Sequence, residues 1–245
     1  MTNTFLYLFL LPVLAFGQSN FEKAKLLFEK KQFTDTGKTL VLFLKSHPNH
    51  LNAIELLGDT YSKQKKWDAA SNQYKRLVEA NNKNANYHYK YGGALGMKAL
   101  ENKLKSIAYV GDIKSSFLKA AELDSTHIGT RWALVELYMQ LPGVFGGSKS
   151  KALKFAEELE ALSKVDGYLA KGYIYEYDSD PELAEKNYKM AIKEGGSLLC
   201  YDKLTKFYLA QNQPKKAISN LNEAYKKHQD KALLLKIEEI ENNYF

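Results

Sequence analysis

Cysteine is nearly absent from this chain. Cys200 stands alone, so no disulfide can form within the molecule. Arginine is as scarce: among 35 basic residues only Arg76 and Arg131 are arginine, and the rest are lysine. Arginine grips phosphates and base edges with paired hydrogen bonds. A net charge of +7 carried by dispersed lysines therefore describes a solvated surface and argues against a nucleic-acid partner. Long apolar runs are missing too. Phe5–Phe16 is continuous, but it falls short of the ~20 residues that a membrane-crossing helix needs. No Asn-x-Ser/Thr sequon occurs, which favours a bacterial envelope over a eukaryotic secretory route.

Catalytic and metal-binding patterns are also lacking. His47 and His50 have a spacing that suits two metal ligands, but Pro48 and Asn49 place them in a turn, and no Cys, Asp or Glu motif completes a site. His88 lies between Tyr87 and Tyr89, where it serves packing or lines a groove. Gly146-Gly147-Ser148-Lys149 has the glycines of a phosphate loop in the wrong order and without a preceding strand. Ser148 reads instead as the cap of a helix starting near Lys149, and a helix start of this kind also attracts anions. Cys200, between Leu199 and Tyr201, reads as a buried, inert thiol. The chain is expected to carry no catalytic residue, cofactor or metal.

Phe5–Phe16 reads as the apolar core of a secretory leader, followed by small residues at Ala15 and Gly17. The expected leader is residues 1–17, with the mature chain starting at Gln18 or Ser19. Met1-Thr2-Asn3-Thr4 lacks the usual lysine or arginine, and the alternative is an uncleaved first helix. No cysteine follows the run to take a lipid. The expectation is a periplasmic or secreted protein with no integral membrane anchor after cleavage.

What the chain does have is a repeat of about 34 residues. Gly58 and Tyr61 are followed by Ala70, Tyr74 and Leu77. The same columns hold Ala24, Leu27, Thr36, Leu40 and Phe43 one period earlier, and Gly92 and Leu95 one period later. They return as Gly172, Tyr175, Ala184, Tyr188 and Ala191, and then as Thr205, Tyr208, Ala217, Leu221 and Ala224. The apolar spacing within each unit is that of two amphipathic helices. The small residue lets the pair cross closely. Such a unit cannot bury its own apolar face and must stack on neighbours. The chain is therefore expected to be all-α: a solenoid of about six helix-turn-helix units over residues 18–245, closed by a capping helix at about 231–243.

Two units are irregular. In the third, the second helix resumes late, at Ile113, Phe117 and Ala120, which leaves an insert around 98–112 with Gly111 and Asp112 as a turn and cap. In the fourth, Val135 takes the small column, and an insert at 142–147 precedes Ala152, Ala156 and Leu159. Each insert reads as a loop for specialised contact or as a spacer that alters local curvature.

These columns resemble the tetratricopeptide repeat, most clearly in Leu57-Gly58-x-x-Tyr61, Trp67, Ala70, Tyr74 and Leu77. The resemblance implies a right-handed superhelix whose first helices line a concave groove, and a non-enzymatic scaffold that binds a protein or peptide. On that mapping the groove contacts are Glu55, Asp59, Tyr89, Trp132, Glu136, Tyr173 and Tyr177. Aromatics beside carboxylates suit a segment carrying Lys or Arg, and could also cradle sugar rings; Trp132 and Tyr173 serve equally well as packing between repeats. The lysine and asparagine set that clamps a C-terminal carboxylate in some relatives is not present. A second surface is the apolar loop ending in Phe145, Gly146, Gly147 and Ser148, through which the chain could join an envelope assembly. The enzymatic alternative, a glycan- or peptide-processing activity, would need a carboxylate pair such as Glu136 and Asp166 facing each other across a pocket.

Overall fold

The computed structural model describes residues 20–101 and 107–244. The expected leader, residues 1–17, lies outside them, as do residues 102–106 of the third unit's insert. Among the described residues the chain is helix and turn without strand. Helix α1 is described over residues 20–29. It is followed by α2 (Phe33–Ser46), α3 (Leu51–Lys63), α4 (Trp67–Ala80), α5 (Ala85–Glu101) and α6 (Ile107–Leu123). Then come α7 (Ile128–Gln140), α8 (Lys149–Leu162), α9 (Lys164–Tyr177), α10 (Pro181–Glu194), α11 (Leu198–Ala210), α12 (Pro214–His228) and α13 (Ala232–Tyr244). They form six successive hairpins and a last single helix, the all-α repeat architecture expected.

Packing divides the chain after His127 into two compact units. In the first, Leu40, Phe43, Leu57, Tyr74 and Leu77 form the core. In the second, Tyr188, Leu204, Phe207, Tyr208 and Leu221 do so, and α13 adds Leu233, Ile237 and Ile240. Each large side chain removed from water in this way contributes ~1.5–3 kcal/mol.

The glycine column has a direct steric cause. A Cβ on Gly58 would lie 2.5 Å from the Tyr74 ring, one on Gly172 2.6 Å from Tyr188, and one on Gly92 3.0 Å from Phe117. In each hairpin the aromatic of the second helix lies against the bare backbone of the first. Where the sixth unit has Thr205 instead, Asn220 donates from Nδ2 to the threonine hydroxyl and to the Tyr201 carbonyl, each at 2.8 Å.

Four hairpins share one turn. Lys31, Lys65, Ser179 and Asn212 all adopt left-handed φ values of 54–59°. The N–H of the following residue reaches back five positions, Gln32 to Leu27, Lys66 to Tyr61, Asp180 to Tyr175 and Gln213 to Tyr208, at 2.8–2.9 Å. This closure satisfies a carbonyl that the helix end would leave bare. In the last two of these hairpins the next helix starts on a proline, Pro181 or Pro214, and Asp180 also caps α10 by accepting from the Leu183 N–H. His47 and His50 also have structural work. His47 stacks on Phe43 with centroids 4.4 Å apart, and the His50 Nδ1 accepts from the Ala53 N–H at 3.1 Å, capping α3.

The two irregular units depart from this turn in different ways. The insert around 98–112 is not a loop over its described part: residues 98–101 extend α5 and 107–112 begin α6. Gly111 and Asp112 lie inside α6 and are neither turn nor cap. The inserted residues are mostly good helix formers, so the extra length goes into the helices. The insert at 142–147 does form a loop, with a 3-10 turn at Gly143–Phe145.

Candidate functional site

In the first unit, Glu55 and Asp59 are one turn apart on α3, as the mapping requires. They are not free. Lys90, on the first helix of the next hairpin, places its ammonium 2.6 Å from Glu55 and 2.8 Å from both oxygens of Asp59. Asn86 donates to Glu55 at 3.1 Å, and the Tyr74 hydroxyl donates to Asp59 at 2.7 Å. Burial alone would lower the pKa of Lys90; the hydrogen bonds and charges of Asp59 and Glu55 outweigh it and hold the ammonium above the usual lysine range. Burial, reinforced by the Asp59 charge, drives the Tyr74 hydroxyl far above the normal tyrosine range. Tyr89 is half-buried and packs on Phe117 and His127, with centroids 6.2 and 4.8 Å away.

In the second unit, α7 and α9 pack side by side as first helices of consecutive hairpins. Trp132 is half-buried against the core, and its indole N–H donates to Asp166 at 2.8 Å. Trp132 thus packs between repeats, and its polar edge is taken up by Asp166 on the next first helix. One turn on, Glu136 is exposed and makes neither a hydrogen bond nor an ion pair among the described residues. Surrounding protein crowds the carboxyl enough to raise its pKa, while the field of Lys203 on α11 pulls it down. A further turn on, Gln140 donates to the Tyr173 hydroxyl at 3.3 Å. Burial, and more weakly the Glu136 charge, raises the pKa of Tyr173. Its ring lies 6.1 Å from that of Tyr177, tilted by 49°, and Tyr177 is 53% exposed. The structure therefore places Glu136, Tyr173 and Tyr177 in succession along one face, with the Trp132–Asp166 pair one turn before Glu136.

The 142–147 loop is held by its own backbone. The Phe145 and Gly147 N–H groups donate to the Pro142 carbonyl, and the Ser148 N–H donates to that of Tyr138. Gly146 has φ of 90°, and a Cβ on Gly147 would sit 1.8 Å from the Leu141 carbonyl oxygen, so both positions require glycine. Ser148 caps α8 as expected, accepting from the Lys151 N–H at 3.3 Å. Lys149 pairs with Asp178 in the next hairpin turn. Gly146, Gly147 and Ser148 thus shape the loop, Phe145 is 38% exposed, and Val144 is the residue presented, at 88% exposure.

No group of three or more His, Cys, Asp or Glu residues placed to hold a metal occurs among the described residues. Asp166, one half of the carboxylate pair considered for catalysis, is engaged by the Trp132 indole.

No protein-family model matches the sequence, and no curated protein is similar to it. Solved structures do match. A tetratricopeptide repeat protein from Parabacteroides merdae superposes with a TM-score of 0.66 at 13% identity, covering 93% of this chain and 86% of that one. The chain has the tetratricopeptide-repeat fold. PilW, described as a widely conserved type IV pilus biogenesis factor, matches with a TM-score of 0.64 at 14% identity over 90% of this chain and 97% of its own. YrrB, a tetratricopeptide repeat protein described as having an unusual peptide-binding site, matches at 0.54 and 16% identity, over 74% and 87%.

Within this tetratricopeptide array, residues about one period apart on successive first helices meet repeatedly: Glu55 and Lys90, Trp132 and Asp166, Gln140 and Tyr173, Asp202 and Lys236. Lys90, Gln140 and Lys203 are the partners that sequence reasoning missed. One repeat length forward from Glu55 would have flagged Lys90, and one back from Tyr173 would have flagged Gln140.

Proposed function

We propose that this protein is a non-enzymatic scaffold of the bacterial cell envelope that docks a protein or peptide segment on the first-helix face of α7 and α9. The observation that carries this is the aromatic pair on that face, the half-buried Tyr173 and the exposed Tyr177. Aromatic side chains that remain open to solvent on a rigid scaffold supply contact area at low entropic cost. The repeat fold, shared with proteins described as peptide-binding or as a pilus biogenesis factor, supports an interaction role. The leader expected at residues 1–17 supports export. Glu55 and Asp59 contribute less to docking than their position suggests, since both are already engaged by Lys90.

A photo-crosslinking residue at position 177, introduced in the native host, tests this against one at Lys186, an exposed position on the second helix of the same hairpin. Docking requires adducts from position 177 that Glu136→Lys reduces and that are missing from position 186. Equal adducts from both positions, or adducts indifferent to Glu136→Lys, would sink the assignment.

A second reading rests on Val144. A loop fixed by four backbone hydrogen bonds that holds an apolar side chain 88% exposed is suited to contact another subunit. Val144→Ser would then abolish adducts formed from position 145 and leave those from 177 intact.

A further inference from the structure

The first-helix carboxylates differ in one respect that their positions do not reveal. Glu55 and Asp59 are held by Lys90, Asp166 by the Trp132 indole, and Glu176 by the Tyr188 hydroxyl at 2.5 Å. Glu136 has no such partner. It lies one turn before Gln140, whose amide fixes the Tyr173 hydroxyl beside it. The half-buried Tyr173 ring and the exposed Tyr177 ring, tilted by 49° with centroids 6.1 Å apart, continue the same face beyond the carboxylate. An exposed carboxylate that no protein group engages is free to take a cation, and the electron-rich faces of the tyrosines that follow on this face reinforce that preference.

We propose that Glu136, Tyr173 and Tyr177 form a socket for a cationic side chain of the docked segment, arginine ahead of lysine. This rests on the docking role of the α7–α9 face. Arginine fits better because a planar guanidinium stacks on a ring while giving two parallel hydrogen bonds to a carboxylate; a lysine ammonium offers a point charge. The other charged groups around the socket are accounted for. Asp166 and Glu176 are hydrogen-bonded within the protein. Lys203, the cation whose field reaches Glu136, comes from α11 and makes no bond to it. Lys203 therefore opposes an incoming cation without filling its place, and it disfavours ligands with two closely spaced positive charges.

The test titrates Nα-acetyl-arginine amide into the isotopically labelled full chain, followed by amide chemical shifts, with Nα-acetyl-citrulline amide as the neutral isostere. Arginine should shift residues around 136, 173 and 177, and citrulline should bind at least about tenfold more weakly. Glu136→Gln should erase that difference, and Lys203→Met should tighten arginine binding by about twofold or more. Equal binding of citrulline, no effect of Glu136→Gln, or shifts confined to other helices would overturn the proposal. So would a stronger response to N-acetylglucosamine, which would make the aromatic pair a sugar platform. The two readings fail separately. Crosslinks from position 177 without arginine binding leave the docking face and remove the socket; charge-selective arginine binding without crosslinks leaves the socket and removes the docking face.

Discussion

The Lys90 ammonium lies 2.8 Å from both carboxylate oxygens of Asp59, across the boundary between two hairpins. The same nitrogen also holds Glu55. One cation thus ties two acids that would otherwise repel each other one turn apart on α3. Lys90→Met leaves those acids without a counter-ion and should destabilise the first unit by about 1–3 kcal/mol near neutral pH. The folded-state pKa of Lys90 is raised. Its contribution is therefore complete below the ordinary lysine range and is lost as pH rises through the raised value. Alkaline denaturation of wild type should show this loss, and Lys90→Met should lack it. Parallel alkaline curves for the two proteins would contradict the assignment.

Gly172 and Tyr188 meet closely in the fifth hairpin of the chain, where a Cβ on the glycine would lie 2.6 Å from the ring. The Tyr188 ring cannot swing away cheaply, because its hydroxyl is bonded to Glu176. Gly172→Val should therefore cost about 2–4 kcal/mol from overpacking. Tyr188→Ala removes the clash but leaves a cavity, so the double variant should be more stable than the sum of the two single losses implies. A double-mutant cycle by thermal denaturation measures this coupling; strict additivity would show that ring and backbone do not meet.

These two relationships were not equally legible in the sequence. The glycine column could be read because sterics leave little choice: where an aromatic lies on a helix backbone, the residue beneath must be small. Ser148 could be read because a capping hydroxyl before a helix is a local signal. Lys90 could not, because its pairing with Asp59 depends on the reach of a flexible side chain across one repeat, and lysines are abundant throughout. The insert around 98–112 misled for another reason. A broken period suggests a broken helix, yet Met97, Lys98, Ala99 and Leu100 are helix formers and simply prolong α5. For Glu136 the column placed the residue, but only the geometry reveals that Lys203 acts at a distance and leaves the carboxylate without a bond.

Glu185, in the fifth hairpin, provides an acid counterpart to Lys90. Burial works against its ionisation, but hydrogen bonds from Lys189, Lys216 and the Tyr208 hydroxyl prevail and bring its pKa down to about 2. A lowered carboxylate pKa adds stability that is fully present above the ordinary glutamate range and is lost as pH falls through about 2. Glu185→Gln should thus destabilise the second unit by roughly 1–2 kcal/mol at pH 7, after allowance for the solvent that reaches the pair. The gap between wild type and variant should close as the medium is acidified. A gap that stays constant from neutral to strongly acid pH would mean that packing, rather than charge, accounts for the difference.

Lys65 offers a change of opposite sign. It is exposed, and its φ of 57° places a lysine where a Cβ is strained by ~1–2 kcal/mol. The turn depends on backbone groups, Lys65 N–H to Ser62 and Lys66 N–H to Tyr61, which glycine keeps. Glycine also gives back some of this gain through the larger freedom of its unfolded chain. Lys65→Gly should therefore stabilise by a net of about 0.5 kcal/mol, or roughly 1–2 °C in Tm for a chain of this size. Lys75, exposed in the middle of α4, is the control. There the backbone is helical, and the same substitution should cost about 1 kcal/mol. Opposite shifts in Tm from two chemically identical substitutions would trace the effect to backbone geometry; shifts of the same sign would leave the shared turn of the four hairpins without the strain argued for it.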